Sequence, residues 1–142
     1  MAVYFKTGFV LYTIGPVSLL NSLFSTIRYH LEPNGWGTRY PIMMNQGYQG
    51  KVEHALIPDL IKEVKSIQQE LKALRPDQVV WDIEDLTAKP PWGDEVIARI
   101  TDLSNYHIAT GGQTVLDLLI EVLEAAMKVK FDFEIATYQG LS

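Results

Sequence analysis

The sequence predicts an α+β (mixed α/β) fold, a single domain with a sheet of about four strands and three main helices packed on it. Three stretches carry apolar residues at helical spacing, and other stretches are rich in β-branched and aromatic residues. The chain has 142 residues, of which 47% are hydrophobic, and this is enough for one core. Its sequence contains no repeat, linker or low-complexity tract, so we expect residues 1–142 to be one domain.

The N-terminal part predicts a strand followed by a helix. Residues Ala2–Ile14 are rich in Val, Tyr, Phe and Thr and have apolar side chains on both faces, which is typical of a strand covered on both sides. Gly15 and Pro16 end this strand, and Pro16 suits the first position of a helix. The helix ends before Pro33. Its apolar residues recur at helical spacing, at Leu20, Leu23, Phe24, Ile27 and Leu31.

The middle of the chain predicts a loop and a second helix. Residues 33–50 contain several Gly, Pro and Asn residues, which indicates an ordered loop with one short helical turn. From Ile57 to Leu74 the apolar residues form one stripe and the charged residues lie on the other side. This pattern is typical of an amphipathic surface helix that stops before Pro76.

The C-terminal half predicts two strands, a third helix and a last strand. The strands are expected at Val79–Ile83, Asn105–Thr110 and Phe131–Ile135. Thr114 can cap the third helix, which runs to about Val129. Because its charged residues form a single stripe, we expect it to be the most buried helix. The predicted order of elements is β, α, α, β, β, α, β.

The negative charge of the chain is concentrated in one stretch. The molecule has a formal net charge of -5, and residues 77–102 hold seven acidic residues against Lys89 and Arg99, so this acidic segment alone accounts for that charge. The same segment contains Trp81, Trp92 and a Pro-Pro pair. An acidic, aromatic and stiff surface favours a protein partner over a small substrate, because aromatic rings supply contact area and carboxylates attract a basic partner.

The composition excludes several classes of protein. The chain has no cysteine, which excludes disulfides and thiolate chemistry and agrees with a reducing compartment such as the cytoplasm. A pI near 5.1 argues against nucleic acid as a ligand. The sequence has no apolar run long enough for a membrane span, and its N-terminus lacks the pattern of a signal peptide. We therefore expect a soluble protein without a membrane partner.

The residues that could carry chemistry do not form a catalytic motif. The three histidines, His30, His54 and His107, have no partners at metal-ligand spacing, so we expect no catalytic residue, metal or cofactor. One alternative stays open. Asp82 and Glu84 would share a face of the predicted strand, and with the neighbouring Asp85 they could hold a divalent ion in a metal-dependent enzyme. Carboxylates at the end of a strand are also typical of turn caps.

The candidate partner-binding residues are the acids and the most exposed aromatic residue of the acidic segment: Asp82, Glu84, Asp85, Trp92, Asp94 and Glu95. We expect Trp81 to point inward, and we expect Trp92 to be partly exposed in a stiff loop behind two prolines. A second alternative is a structural homo-oligomeric module with Trp92 or the Met43–Met44 loop in its interface. A homodimer is compatible with either interpretation.

Several strings occur in a fixed order along the chain, at Gly35–Gly37, Val80–Leu86, Pro90–Gly93 and Ile100–Tyr106. In this order and spacing they resemble the bacterial immunity protein seventy family, and Tyr4–Phe9 and Phe24–Ile27 are also similar to it. The resemblance spans nearly the whole chain, and Trp-Asp-Ile-Glu-Asp and Pro-Pro-Trp-Gly are its most specific strings. No catalytic or binding residue of the family can be carried over to this sequence.

The resemblance implies a cytoplasmic immunity protein that binds and neutralises the cognate toxin of a bacterial polymorphic toxin system. An inhibitor of this kind needs a rigid surface complementary to one partner and no catalytic group. Many toxin domains are nucleases with basic clefts, and an acidic patch can occupy such a cleft in place of phosphate. The expected partner is therefore a toxin domain, with no nucleic acid bound directly.

Overall fold

The computed structural model describes residues 2–138 and contains a four-stranded antiparallel sheet with helices packed on it. The strands are β1 (Ala2–Thr7), β2 (Val10–Pro16), β3 (Lys51–Val52) and β4 (Phe133–Tyr138), in the order β2-β1-β4-β3. The main helices are α1 (Val17–Leu31), α2 (Ile57–Leu71) and α3 (Val115–Val129), and a π-helical segment covers Ile42–Gly47. The α+β class and the three main helices are confirmed.

The single strand predicted over Ala2–Ile14 is wrong, because the chain turns back at Gly8 and Phe9 to form the β1–β2 hairpin. Gly8 has a φ of +59°, which a residue with a side chain adopts only at a cost. The ring of Phe131 also lies over Gly8, 2.8 Å from where a Cβ would stand. A two-residue turn that begins with glycine and a positive φ is a common hairpin connection.

The strands predicted at Val79–Ile83 and Asn105–Thr110 are also wrong. Between α2 and α3 the backbone is irregular apart from one turn of 3-10 helix at Pro76–Gln78, and one isolated bridge joins Ile108 to Thr114. The sheet still has four strands, because the hairpin contributes two and the short β3 a third. The last predicted strand is confirmed with shifted bounds, since β4 begins at Phe133.

The helices follow the sequence pattern more closely. Thr114 caps α3 as predicted, because its hydroxyl oxygen accepts the backbone N–H of Asp117 at 3.2 Å. Pro16 precedes α1 as its N-cap and is not the first helical residue. The prediction that the third helix is the most buried is wrong. Nine residues of α1 are buried against seven of α3, because α1 also buries a row of hydroxyl side chains.

The core is one cluster of buried side chains between the sheet and the helices, with α1 and α3 in contact with β1 and α2 packed against α3. The short helical turn predicted in residues 33–50 is confirmed by the π-helical segment. Met43 and Met44 of that segment are 3% and 0% exposed. They belong to the protein's own core, so these two side chains are not available to an oligomer interface. The homo-oligomeric alternative itself stays a prediction.

The loop that carries Trp36 is organised around a buried carboxylate. Glu32, at the end of α1, is fully buried and accepts backbone N–H groups from Gly37, Arg39 and Tyr40 at 3.0, 3.2 and 3.1 Å. Hydrogen bonds of this kind offset the cost of burying a carboxylate. They also give the loop one conformation, which places Trp36 beside α1.

Candidate functional site

The acidic segment is attached to α1 through hydroxyl groups. Thr26 accepts the N–H of Val80 at 3.1 Å and donates to its carbonyl oxygen at 3.1 Å, and Ser22 donates to the same oxygen at 3.0 Å. Three residues further on, the N–H of Ile83 donates to Ser25 at 3.0 Å. These bonds replace the strand ladder that the sequence predicted here, and they satisfy backbone groups that are partly or fully buried.

A histidine extends this attachment at each end. His30, one turn beyond Thr26 on α1, donates through Nε2 to the carbonyl oxygen of Gln78 at 2.7 Å. At the other end, Nε2 of His107 lies 3.0 Å from the hydroxyl of Ser22. Ser22 has one proton, which it donates to Val80, so His107 must be the donor in this pair. Residues 78–83, at the start of the acidic segment, therefore follow one face of α1.

His107 is neutral in this arrangement. It is 2% exposed, and its Nδ1 has no hydrogen-bond partner among the described residues. Burial lowers the pKa of His107 to about 3, because the protein interior disfavours the charged imidazole. The expectation that the histidines are not metal ligands remains a prediction, but the Nε2 atoms of His30 and His107 are both used in hydrogen bonds, to the carbonyl oxygen of Gln78 and to the hydroxyl of Ser22.

The carboxylates of the segment mostly form turns. Asp82 accepts the backbone N–H of Glu84 at 3.0 Å, and Asp85 accepts the backbone N–H and the hydroxyl of Thr87 at 3.1 and 2.6 Å. The bond from the hydroxyl of Thr87, followed by the bond from its N–H, lowers the pKa of Asp85. Asp102 caps its own turn in the same way by accepting the N–H of Ser104 at 2.8 Å. Side chains of this kind fix local backbone geometry.

The metal-dependent alternative loses its structural basis. It required Asp82 and Glu84 to project from one face of a strand, and the chain has no strand there. Within residues 2–138, no group of three or more His, Cys, Asp or Glu side chains is arranged to hold a metal ion. Asp82 and Asp85 are also engaged with backbone donors of their own turns.

Trp92 is the exposed aromatic residue of the segment, as the sequence predicted, with 44% of its surface accessible. Its indole N–H donates to the Tyr106 hydroxyl oxygen at 2.8 Å, and its ring meets that of Trp81 edge to face at 5.4 Å between centroids. Trp81 is partly buried against the core, also as predicted. Burial raises the pKa of the Tyr106 hydroxyl, which therefore stays protonated at neutral pH. Trp92 is thus exposed and fixed in orientation.

The predicted partner-binding residues line separate concavities. Asp82 and Glu84 line a pocket of about 410 Å³, which we call the acidic-aromatic pocket. Trp92 and Glu95 line a mostly apolar groove of about 360 Å³, and Asp94 lines a third depression of about 380 Å³. The second and third share Val96 and Tyr106 among their lining residues and so adjoin each other. The acidic-aromatic pocket shares no lining residue with either, and Asp85 lines none of the three.

Sequence reasoning missed half of the acidic-aromatic pocket. Its other walls are Asn21 on α1, Trp36 in the loop after α1 and Tyr48 after the π-helical segment. The available signal was the Gly-Trp-Gly string. A tryptophan between two glycines in a turn does not belong to a helix or strand, so its ring has to pack on another part of the protein. The sequence could not show that this string lies beside the acidic segment.

The described residues include no helix that is long and apolar enough to cross a membrane. A family model described as immunity protein 70 matches residues 5–135, which is nearly the whole chain. No match was found among curated proteins or among solved structures.

Proposed function

The chain belongs to the immunity protein 70 family, and from this premise we propose that it neutralises one cognate bacterial toxin by binding it stoichiometrically through the acidic segment. Toxin neutralisation is what membership of an immunity-protein family indicates in general. We also propose the binding surface and the residues in it, a cytoplasmic location and a single independent domain over residues 1–142.

The observation that carries the proposal is that the exposed acidic segment is held to the rest of the protein at two places. Its backbone is attached to α1 through Ser22, Ser25 and Thr26, and its exposed tryptophan is held by Tyr106. A surface whose backbone and side chains are already held by hydrogen bonds loses less conformational entropy on association than a flexible one. Preformed loops of this kind are well suited to bind one partner tightly without any catalytic step.

The distribution of charge supports a basic partner. Glu84, Asp94 and Glu95 are exposed. Among residues 2–138, the one partner of the Asp94 carboxylate is the exposed Lys89, in a long ion pair of 3.9 Å. Carboxylates left without strong local partners attract cations and accelerate the association of a basic protein. A toxin domain with a basic cleft is the partner that this charge distribution fits.

Trp92 and the apolar groove beside it supply the second part of the proposed interface. The groove is lined by Val96, Ile97 and Ile100 together with Trp92, and Ile97 is 54% exposed. Aromatic residues at the centre of an interface with apolar neighbours often contribute a large share of the binding free energy. The acids would then steer the encounter, and Trp92 would stabilise the complex.

The direct test of the function is protection of a cell. A candidate toxin domain, sought in the genes that neighbour the gene of this protein, is expressed under an inducible promoter, with and without this protein. The proposal predicts that co-expression restores growth and that the two proteins purify as a complex of fixed stoichiometry. Continued growth arrest, together with separate elution of the two proteins, would contradict it.

A further inference from the structure

We propose that the acidic-aromatic pocket receives a basic side chain, an arginine or lysine, from the protein partner. The pocket is lined by Asn21, Trp36, Tyr48, Asp82, Ile83 and Glu84. This inference rests on the proposed function and goes beyond it, because it assigns a ligand chemistry to a defined cavity and includes three residues outside the acidic segment.

The aromatic wall of the pocket is rigid. The Trp36 and Tyr48 rings meet edge to face with centroids 4.9 Å apart, and Phe24 behind them lies 5.2 Å from Tyr48 and 6.3 Å from Trp36. The Trp36 indole N–H donates to the carbonyl oxygen of Met44, which fixes that ring further. Tyr48 is nevertheless 54% exposed. An exposed ring in a fixed orientation offers its face to a cation at little entropic cost.

The rest of the pocket lining carries two carboxylates and no cation. One carboxylate oxygen of Asp82 accepts the N–H of Glu84, and the other oxygen is left to accept a hydrogen bond from a ligand. The side chain of Glu84 makes no hydrogen bond or ion pair with any described residue, and neither Lys nor Arg lines the pocket. A positive side chain in the pocket would therefore be the counter-ion that these carboxylates lack within residues 2–138. A pocket that combines carboxylates with aromatic rings is an environment that suits a guanidinium or ammonium group.

The surroundings of the pocket indicate what flanks that basic side chain. Asn21 and Tyr48 also line a second groove of about 390 Å³, whose lining residues are all uncharged. Its walls include Val17 and Leu20 of α1 and Ile135 of β4. The partner segment that places its basic side chain between Tyr48 and Glu84 would therefore place uncharged, largely apolar residues in this groove.

The pocket can be tested without the toxin. The probe is N-acetyl-arginine-N-methylamide, titrated into isotopically labelled protein and followed by NMR, with the norleucine analogue as the uncharged control. We expect saturable shifts of the Trp36 indole N–H and of the amides of Ile83 and Glu84, and weaker or no shifts with norleucine. Shifts that are equal for both probes, or that are spread over all exposed acids, would overturn the proposal.

Variants with the same change in net charge show where the arginine probe binds. Glu84→Gln removes one carboxylate from the pocket, and Glu95→Gln removes one from the groove beside Trp92, so the change in net charge is the same. We expect Glu84→Gln to weaken arginine binding about two- to fivefold, the range for a partly exposed ion pair. Tyr48→Leu should weaken it as well, while Glu95→Gln leaves it unchanged. Equal effects of Glu84→Gln and Glu95→Gln would mean that only net charge matters, which contradicts the pocket.

Binding measurements with the toxin domain then show which of the two is wrong, the inference about the pocket or the proposed function. If the wild-type protein binds the toxin domain and Glu84→Gln and Tyr48→Leu bind it equally well, the pocket is not used and the proposed function stands. If the wild-type protein does not bind the toxin domain, the function fails, and the arginine titration still decides whether the pocket recognises a basic side chain. Unchanged melting temperatures of both variants show that they are folded.

Discussion

Thr26 on α1 exchanges two hydrogen bonds of 3.1 Å with the backbone of Val80, accepting its N–H and donating to its carbonyl oxygen. Val80 and Thr26 are both buried, and they stand 54 residues apart in the sequence. This pair replaces one rung of a β-ladder by a side chain, and it places the carboxylates that follow Val80 on the surface beside α1.

Replacing Thr26 by valine keeps the shape of the side chain and removes both bonds. The N–H of Val80 is then buried without a partner, while its carbonyl oxygen keeps the bond from Ser22. We expect the free energy of unfolding to fall by about 1–3 kcal/mol, the cost of an unsatisfied buried polar group. Urea denaturation measures this loss. Thr26→Ser keeps the hydroxyl and should cost clearly less, so equal losses for the two variants would show that the hydrogen bonds contribute nothing.

His107 makes the stability depend on pH. Its pKa is about 3 in the folded protein against 6.5 for the exposed group, so the unfolded chain binds more protons between these values and stability falls as the pH falls through this window. From pH 7 to pH 5 we expect a loss of about 2 kcal/mol from this residue. His107→Asn keeps a side-chain N–H donor and does not titrate, so the difference between the two pH profiles isolates the histidine. Parallel profiles over pH 5–7 would contradict the burial of a neutral imidazole.

Trp92 is expected to matter for binding more than for folding. Its ring is 44% exposed, yet it is fixed by Tyr106 and Trp81. Trp92→Ala should weaken binding of the toxin domain by about 2 kcal/mol, roughly thirtyfold, as loss of an interface hot spot does. The control is Phe9→Ala, since Phe9 is 99% exposed at the tip of the β1–β2 hairpin and belongs to another part of the surface. Calorimetric titration should find the control unchanged, and similar losses for both would remove Trp92 from the interface.

Gly8 is expected to limit the stability of the hairpin. An alanine there must adopt a φ near +59° and meets the Phe131 ring at 2.8 Å, so we expect Gly8→Ala to cost about 1–2 kcal/mol or more. Gly111 is the matched position, because its φ is not positive and no atom lies within 4 Å of the place that an alanine Cβ would take. Thermal denaturation should show a lower Tm for Gly8→Ala than for Gly111→Ala. Equal Tm values would mean that the turn changes its conformation to accept an alanine without a loss of stability.

Helices were predicted from the sequence more reliably than strands, for a physical reason. The apolar stripe of α2 and the Thr114 cap of α3 are local signals, and both are confirmed. The Val79–Ile83 stretch has β-propensity, but its backbone partners are hydroxyls on a distant helix, so propensity alone could not identify them. The hairpin was missed because one glycine in an apolar run is a weak signal for a turn.

The sequence indicated several residues of the candidate site but not how these residues are arranged in space. The exposure of Trp92 followed from the two neighbouring prolines. The division of the acids among separate concavities did not, because Trp36 and Tyr48 reach the pocket of Glu84 from distant parts of the sequence. Contacts of this kind depend on the tertiary fold and leave no local pattern.

The central claim is that the charges of the acidic segment, and not the net charge of the protein, drive binding to the toxin domain. A variant with Asp82, Asp85 and Asp94 changed to Asn and Glu84 to Gln keeps the side-chain oxygens that cap the turns and removes four charges. The control removes the same number of charges from other exposed positions: Glu53, Asp59, Glu121 and Glu124.

Titration calorimetry of both variants at several salt concentrations is the most direct measurement. The account predicts binding about thirtyfold weaker and a flatter salt dependence for the acidic-segment variant, which corresponds to about 0.5 kcal/mol for each exposed charge pair, and near wild-type values for the control. An acidic-segment variant that binds with the wild-type affinity and the wild-type salt dependence would contradict it.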